Sequence, residues 1–168
     1  KNKYNIKSKY IAYGTEELDK NRLGSLVSFN LKKYNYDLIV ARMEPENNIE
    51  MIIKGFLNSN MNRYLVIVGS LKTNFAKYLV KNYKNEKIKY LGFVSETHNL
   101  NALRYYSNIY FHGHSVGGTN PSLLEAMSSN SLICAHKNIF NETILDKDGF
   151  YFHNTKDVTD IINKIQKK

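Results

Sequence analysis

The chain has little of what secreted and membrane proteins carry. Its 168 residues hold one cysteine, two prolines and no tryptophan. A single cysteine excludes an internal disulfide framework, and with it the small stapled scaffolds of the extracellular space. Cys134 lies in the apolar run Ser131-Leu132-Ile133-Cys134-Ala135, where a thiol acts as a small core residue and not as a nucleophile. No stretch approaches the roughly 18 apolar residues of a membrane span. The apolar runs are short, such as Tyr64-Leu65-Val66-Ile67-Val68. Lys1-Asn2-Lys3 leads into polar sequence and not into an apolar segment, so no export signal is expected. These absences together predict a reducing, cytoplasmic setting. Repeats and low-complexity segments are also lacking.

Acidic residues are the other scarcity. Fifteen Asp and Glu stand against 24 Lys and Arg, a formal net charge of +9. That balance favours anionic partners: a nucleotide, a nucleic acid, or the acidic inner face of a membrane touched peripherally. The lysines form no dense tract, and the joint abundance of Lys, Asn, Ile and Tyr also reads as plain compositional bias. A basic nucleic-acid-binding module is the alternative raised by the charge and the 13 tyrosines. The tyrosines are scattered, however, and no recognition-helix or RNP-like pattern accompanies them, so no nucleic-acid partner is expected.

What the sequence does have is alternation. Length alone predicts one domain with a sizeable core. Lys9–Gly14 reads as a short strand, and residues 15–36 as irregular, with a helix near Leu23–Leu31. From Asp37 the pattern is regular. Strands are predicted over 37–42, 63–68, 87–92, 108–112, 131–135 and 151–152. Helices are predicted over 47–59, 73–84, 97–106, 121–129, 139–146 and 155–167. Asn47 or Asn48 can cap the first helix, with Ile49, Ile52, Ile53 and Phe56 facing inward at i, i+3, i+4 and i+7. Phe75, Leu79 and Val80 play that part in the second helix, and Val158, Ile161, Ile162 and Ile165 in the last. Six alternations predict an α/β fold, a doubly wound Rossmann-like parallel six-stranded sheet with helices on both faces. Its crossovers should be right-handed. Such sheets take ligands beyond the carboxyl ends of their strands. Arg42, Gly69, Gly92 and the 113–120 loop all fall at those ends.

The stretch Phe111-His-Gly-His-Ser-Val-Gly-Gly-Thr-Asn-Pro-Ser-Leu-Leu-Glu-Ala-Met127 carries the chemistry. Asn120 suits an N-cap and Pro121 the first helical position, where a missing N–H costs nothing. Leu123, Leu124 and Met127 give the helix an apolar face. Gly117 and Gly118 leave main-chain N–H groups uncovered ahead of the helix N-terminus, which suits a phosphate. Glu125 lies one turn into the helix, and helical side chains lean toward the N-terminus. A carboxylate there would repel a phosphate but would accept from a neighbouring diol, as an acidic residue does with a ribose. By pattern alone, a capped helix with a solvated glutamate accounts for the stretch equally well.

Gly-Gly-Thr-Asn-Pro-Ser-Leu-Leu-Glu-Ala-Met resembles the signature of retaining glycosyltransferases of family 4. More narrowly it is similar to the bacterial rhamnosyltransferase-like group that builds capsules and O-antigens. Ile39-Val40-Ala41-Arg42-Met43-Glu44-Pro45-Glu46-Asn47-Asn48-Ile49 resembles that family's strand–Arg–loop–helix opening. Val66-Ile67-Val68-Gly69 and Tyr90-Leu91-Gly92-Phe93-Val94 resemble its second and third strand ends. The resemblance spans residues 37–152. It implies the C-terminal, donor-binding half of a GT-B enzyme, with residues 1–36 as an interdomain strand and linker and 37–168 as the donor domain. The acceptor half would lie in an N-terminal domain outside this chain, and the chain alone would be inactive.

The resemblance also implies roles. Arg42 contacts the donor diphosphate through its planar fork; by position alone it could equally pair with Glu44 or Glu46. Arg42 and Glu125 are the residues expected to carry the chemistry. Gly69, Phe93, Val94, His114, Ser115, Gly117, Gly118, Thr119 and Asn120 are the expected donor-binding set, with main-chain groups at Phe93 and Val94 meeting the base. Two departures stand out. Many relatives carry a lysine where this chain has Asn47, with Lys72 a candidate replacement. The broader family has a sugar-contacting glutamate where this chain has Gly117, and His114 and Ser115 are the candidates to take over. Those departures also admit a non-catalytic relative. The expected donor is a UDP- or dTDP-sugar and the expected acceptor a lipid-linked glycan. No cofactor is implied. No metal is implied either, since no Asp-x-Asp or His/Asp cluster stands at a ligand-bearing edge.

Overall fold

The computed structural model describes residues 13–167. Most of the predicted 9–14 strand lies outside the described residues. Six strands form one sheet: β1 (Tyr36–Val40), β2 (Tyr64–Val68), β3 (Ile88–Gly92), β4 (Tyr110–His112), β5 (Ile133–His136) and β6 (Phe150–Phe152). The helices between and after them are α1 (Ile49–Leu57), α2 (Asn74–Asn82), α3 (Thr97–Tyr105), α4 (Pro121–Ser128), α5 (Ile139–Leu145) and α6 (Thr155–Lys164). Strand order is β3-β2-β1-β4-β5-β6, and every neighbouring pair is parallel. The order reverses between β1 and β4, which is the switch point of a Rossmann-like sheet.

Alternation along the strands divides the core. Ile39, Leu65, Ile67, Ile109, Phe111, Cys134 and Phe152 point to one face, under Ile49, Ile52, Ile53 and Phe56 of α1, Ala76 and Leu79 of α2, and Val158 and Ile162 of α6. Leu38, Val66, Val68, Tyr110, Ile133 and Ala135 point to the other face, under Ala102 and Leu103 of α3, Leu123 and Ala126 of α4, and Leu145. A sheet covered on both faces needs apolar residues at both parities, which is why its strands read as near-continuous runs. Cys134 is fully buried, and burial raises its thiol pKa well above the ordinary range.

Several expectations are corrected. Instead of a helix near 23–31 there are two short 3-10 turns, Lys20–Arg22 and Val27–Phe29. Ser25 Oγ takes the Val27 N–H, and Asn30 stops the second turn in the left-handed region, so side chain and cap compete with helix propagation. Val80 and Met127 are exposed; Ala76 and Ala126 take the inward positions. Neither Asn47 nor Asn48 caps α1 with its side chain. Asn48 occupies the N-cap position without such a bond, and its Nδ2 instead reaches the Gly113 carbonyl at 2.8 Å.

Candidate functional site

The carboxyl ends of β1, β2, β4 and the turn after β3 surround a cavity of about 480 Å³, a size that suits a small-molecule ligand. Arg42, Asn47, Gly69, Phe93, Val94, Arg104, His112, His114, Asn120 and Glu125 are among its lining residues. Of the expected set, Arg42, Glu125, Gly69, Phe93, Val94, His114 and Asn120 are therefore brought together. Ser115, Gly117, Gly118 and Thr119 stand outside the lining, and so does Lys72.

Arg42 leaves β1 two residues past its end and is exposed. Among the described residues it forms no ion pair with Glu44 or Glu46, so its fork is open to a ligand. Asn120 caps α4, with Oδ1 accepting from the Ser122 N–H at 2.9 Å. Phe93 is 79% exposed at the cavity rim, while its neighbour Val94 is 7% exposed and packs in the core.

Two loops are sewn into one unit at the switch point. Ser115 gives its N–H (3.0 Å) and its hydroxyl (2.8 Å) to the Glu46 carbonyl. Gly113 passes so close to the Asn47 carbonyl oxygen that a Cβ there would sit 1.9 Å from it, so only glycine fits. Asn47, 5% exposed, donates from Nδ2 to the Arg42 carbonyl at 2.8 Å and meets His114 Nδ1 with Oδ1 at 3.0 Å. The residue that departs from the family's lysine is thus a bridge between these loops. Beyond them, residues 116–118 are exposed, and Gly117 has φ +87°.

Arg104 and His112 were not singled out from the sequence. Arg104, on α3 and 3% exposed, donates from a terminal guanidinium nitrogen to Glu125 Oε2 at 2.5 Å. The Glu125 side chain is 47% exposed. Glu125 thus lines the cavity already paired with a buried cation. An arginine in the inward register of α3, four residues after Leu100, was the available signal. His112 ends β4, and burial together with nearby His114 pushes its pKa down to about 4. Among the described residues, Arg104 Nε and His112 Nε2 are buried without a hydrogen-bond partner. Such groups are rare, and both belong to residues that line the cavity. Burial also raises the pKa of the Tyr110 hydroxyl, which lies 2.6 Å from Ser122 Oγ. No group of three or more His, Cys, Asp or Glu suited to a metal occurs among the described residues. No helix there is long and apolar enough to cross a membrane.

A parallel doubly wound sheet with a cavity across its switch point defines a Rossmann-like α/β domain, and the solved structures it resembles are GT-B glycosyltransferases. The family itself follows from the sequence profile of glycosyl transferases group 1, which matches residues 27–167; the chain belongs to that family. Anabaena Alr3699/HepE in complex with UDP and glucose is similar with a TM-score of 0.72 at 14% identity, over 88% of this chain and 43% of that one. A glycosyltransferase from Rickettsia africae ESF-5 gives 0.66 at 19% identity, over 82% and 39%. The C-terminal domain of the group 1 protein LpcC from Francisella tularensis gives 0.66 at 17% identity, over 87% and 82%. The chain therefore spans about two fifths of the length of the first two. No curated protein matches it.

Proposed function

We propose that this chain is the nucleotide-sugar-binding half of a glycosyltransferase that acts with retention. The observation that carries the reading is the meeting of Arg42, the capped α4 N-terminus and the Arg104–Glu125 pair around one cavity at the switch point. Arg42 would clamp the diphosphate, and main-chain N–H groups around 117–119 would approach it from the loop. In the reaction, negative charge builds on the departing nucleoside diphosphate, and fixed positive groups beside it stabilise that charge without reorganisation. Glu125 would accept from the ribose hydroxyls, held by Arg104. Main-chain groups at Phe93 and Val94 would border the base. A uridine nucleotide is the donor best supported, because HepE is seen with UDP and with UDP-glucose. The resemblance of residues 111–127 to rhamnosyltransferase-like enzymes supports a hexosyl or 6-deoxyhexosyl group and a lipid-linked polysaccharide acceptor. That acceptor would bind a second domain, working at the inner membrane face, where the +9 charge suits acidic lipid.

The test is a calorimetric titration of UDP and uridine into wild type and Arg42→Ala. A lost charge-assisted hydrogen bond should weaken UDP by about 10- to 150-fold and leave uridine nearly unchanged. Equal losses for both ligands would remove Arg42 from the diphosphate. A wild type with no affinity for either would end the donor reading.

A further inference from the structure

We propose that Asn47 is a positioning residue that holds His114 as the Nδ1–H tautomer, leaving Nε2 as a hydrogen-bond acceptor for a hydroxyl of the donor's glycosyl group. The ligand class rests on the donor-binding reading above; the tautomer does not.

The reasoning starts from a group whose role cannot change. The Arg42 main-chain carbonyl only accepts, so Asn47 must meet it with its NH₂, at 2.8 Å. The other end of the amide, Oδ1, also only accepts, and it faces His114 Nδ1 at 3.0 Å. The proton of that bond therefore sits on Nδ1. In a neutral imidazole one nitrogen donates and the other accepts, so the lone pair is on Nε2.

The main chain that carries the ring is fixed as well. The His114 carbonyl takes Asn138 Nδ2 and Asn141 Nδ2, both at 3.1 Å. Ser115 is tied to Glu46 through main chain and side chain. One asparagine thus bonds the imidazole, while two more and the Ser115–Glu46 tie hold its backbone, the kind of support a working side chain needs. Its Nε2 lies 3.8 Å from where a Cβ on Gly117 would stand. Gly117 carries no side chain, so none of its own stands against Nε2, and His114 lines the cavity. A phosphate oxygen would set lone pair against lone pair there. A hydroxyl brings the proton that Nε2 lacks, and glycosyl hydroxyls are the donors left once the ribose is assigned to Glu125.

Two measurements test this on the whole chain. The first is long-range ¹⁵N–¹H spectroscopy of histidine-labelled protein at about pH 8.5, above the histidine range, with the His114 signal assigned by its loss in His114→Gln. Wild type should show the Nδ1–H tautomer, and Asn47→Ala should lose that preference. A wild-type Nε2–H tautomer overturns the proposal, whatever the chain binds. The second compares UDP-glucose with UDP. In both His114→Ala and Asn47→Ala the ratio of UDP-glucose to UDP affinity should shrink by about five- to tenfold, the worth of a neutral hydrogen bond; Asn47→Ala should also weaken UDP itself, because Asn47 holds the Arg42 main chain. His114→Ala keeps the main-chain carbonyl that Asn138 and Asn141 bind, so the loop stays in place. Equal losses for the two ligands, or a wild type that binds UDP-glucose no better than UDP, overturn the glycosyl contact. If wild type binds neither, the donor reading falls, and the tautomer spectrum still decides the Asn47–His114 pairing.

Discussion

At the amino ends of the strands, Asp37 and Arg63 form a buried ion pair with its partners in place. Asp37 Oδ2 takes Arg63 Nε at 2.8 Å, and Oδ1 takes Asn108 Nδ2 at 3.1 Å and the Ile109 N–H at 3.2 Å. Arg63 also donates to the Ile162 carbonyl at 3.1 Å. On the side of the cavity, Arg104 and Glu125 form the second pair with a buried arginine, and there the accounting stays open. Among the described residues Arg104 Nε and His112 Nε2, which lines the same cavity, have no partner, and the carboxylate is half exposed. A closed polar network needs nothing more and ties elements together. An open one costs stability, because a desolvated donor or acceptor has given up water for nothing. It is tolerable where a ligand supplies the missing partner, and under the donor-binding proposal the bound nucleotide-sugar would supply it here.

The largest effect expected from this contrast is on the closed side. Arg63→Met fills similar volume but strands the Asp37 carboxylate, which is fully buried. Chemical denaturation should show a loss of about 3–5 kcal/mol of unfolding free energy. UDP affinity of the protein that remains folded should not move, since the change lies at the far ends of the strands. A loss under about 1 kcal/mol would show that Asp37 is neutral or hydrated and that the network is not closed.

The second effect is pH-dependent and belongs to the open side. Burial, then His114, holds the pKa of His112 at about 4 against an ordinary 6.5. The folded state therefore binds its proton less readily than the unfolded chain. Stability from this group is complete above about pH 6.5 and is lost as pH falls toward 4, by about 3 kcal/mol in all. His112→Phe keeps a ring and removes both the titration and the orphaned nitrogen. The slope of stability between pH 6.5 and 4 should flatten; part of it should remain, because burial lowers the pKa of His136 as well. At pH 7.5 the variant should be as stable as wild type or about 1 kcal/mol more stable, and should bind UDP-glucose more weakly. An unchanged acid slope would show that His112 is not desolvated.

How far the sequence reached follows the same divide. The sheet was legible because period-2 and period-3.6 patterns are local, and the predicted strands and helices from residue 36 onward agree with the structure within about two residues at most ends. Residues 23–31 misled because Leu23, Leu26, Val27 and Leu31 imitate helical spacing, while Ser25 and Asn30 bond the backbone into 3-10 turns. Arg42 and Glu125 were legible as polar residues at an edge where such sheets bind ligands. The parts that were not legible all depend on contacts distant in sequence. Asn47 meets His114 across 67 residues and Arg104 meets Glu125 across 21. No local pattern tells an asparagine that caps a helix from one that orients an imidazole.

The smallest stability effect should come from Arg104→Met, the counterpart of Arg63→Met on the open side. Both remove a buried guanidinium and leave a carboxylate behind. At Asp37 that carboxylate is sealed from water; at Glu125 the side chain is 47% exposed, so solvent can replace the lost cation. The pair is accordingly discounted toward the worth of a surface ion pair, and removing Arg104 Nε also relieves an unpaired donor. The Arg104 carbonyl, which accepts from Ser107 Oγ and Ser131 Oγ at 2.7 and 3.1 Å, is untouched. Denaturation should show a loss of about 1 kcal/mol or less. Binding should tell the opposite story, because Glu125 without its anchor no longer presents its oxygens in one orientation. UDP affinity should fall by about five- to twentyfold, and a UDP analogue lacking both ribose hydroxyls should fall much less. If Arg104→Met costs as much stability as Arg63→Met, the second pair also serves the fold. If UDP and the deoxygenated analogue fall equally, Arg104 does not act through the ribose.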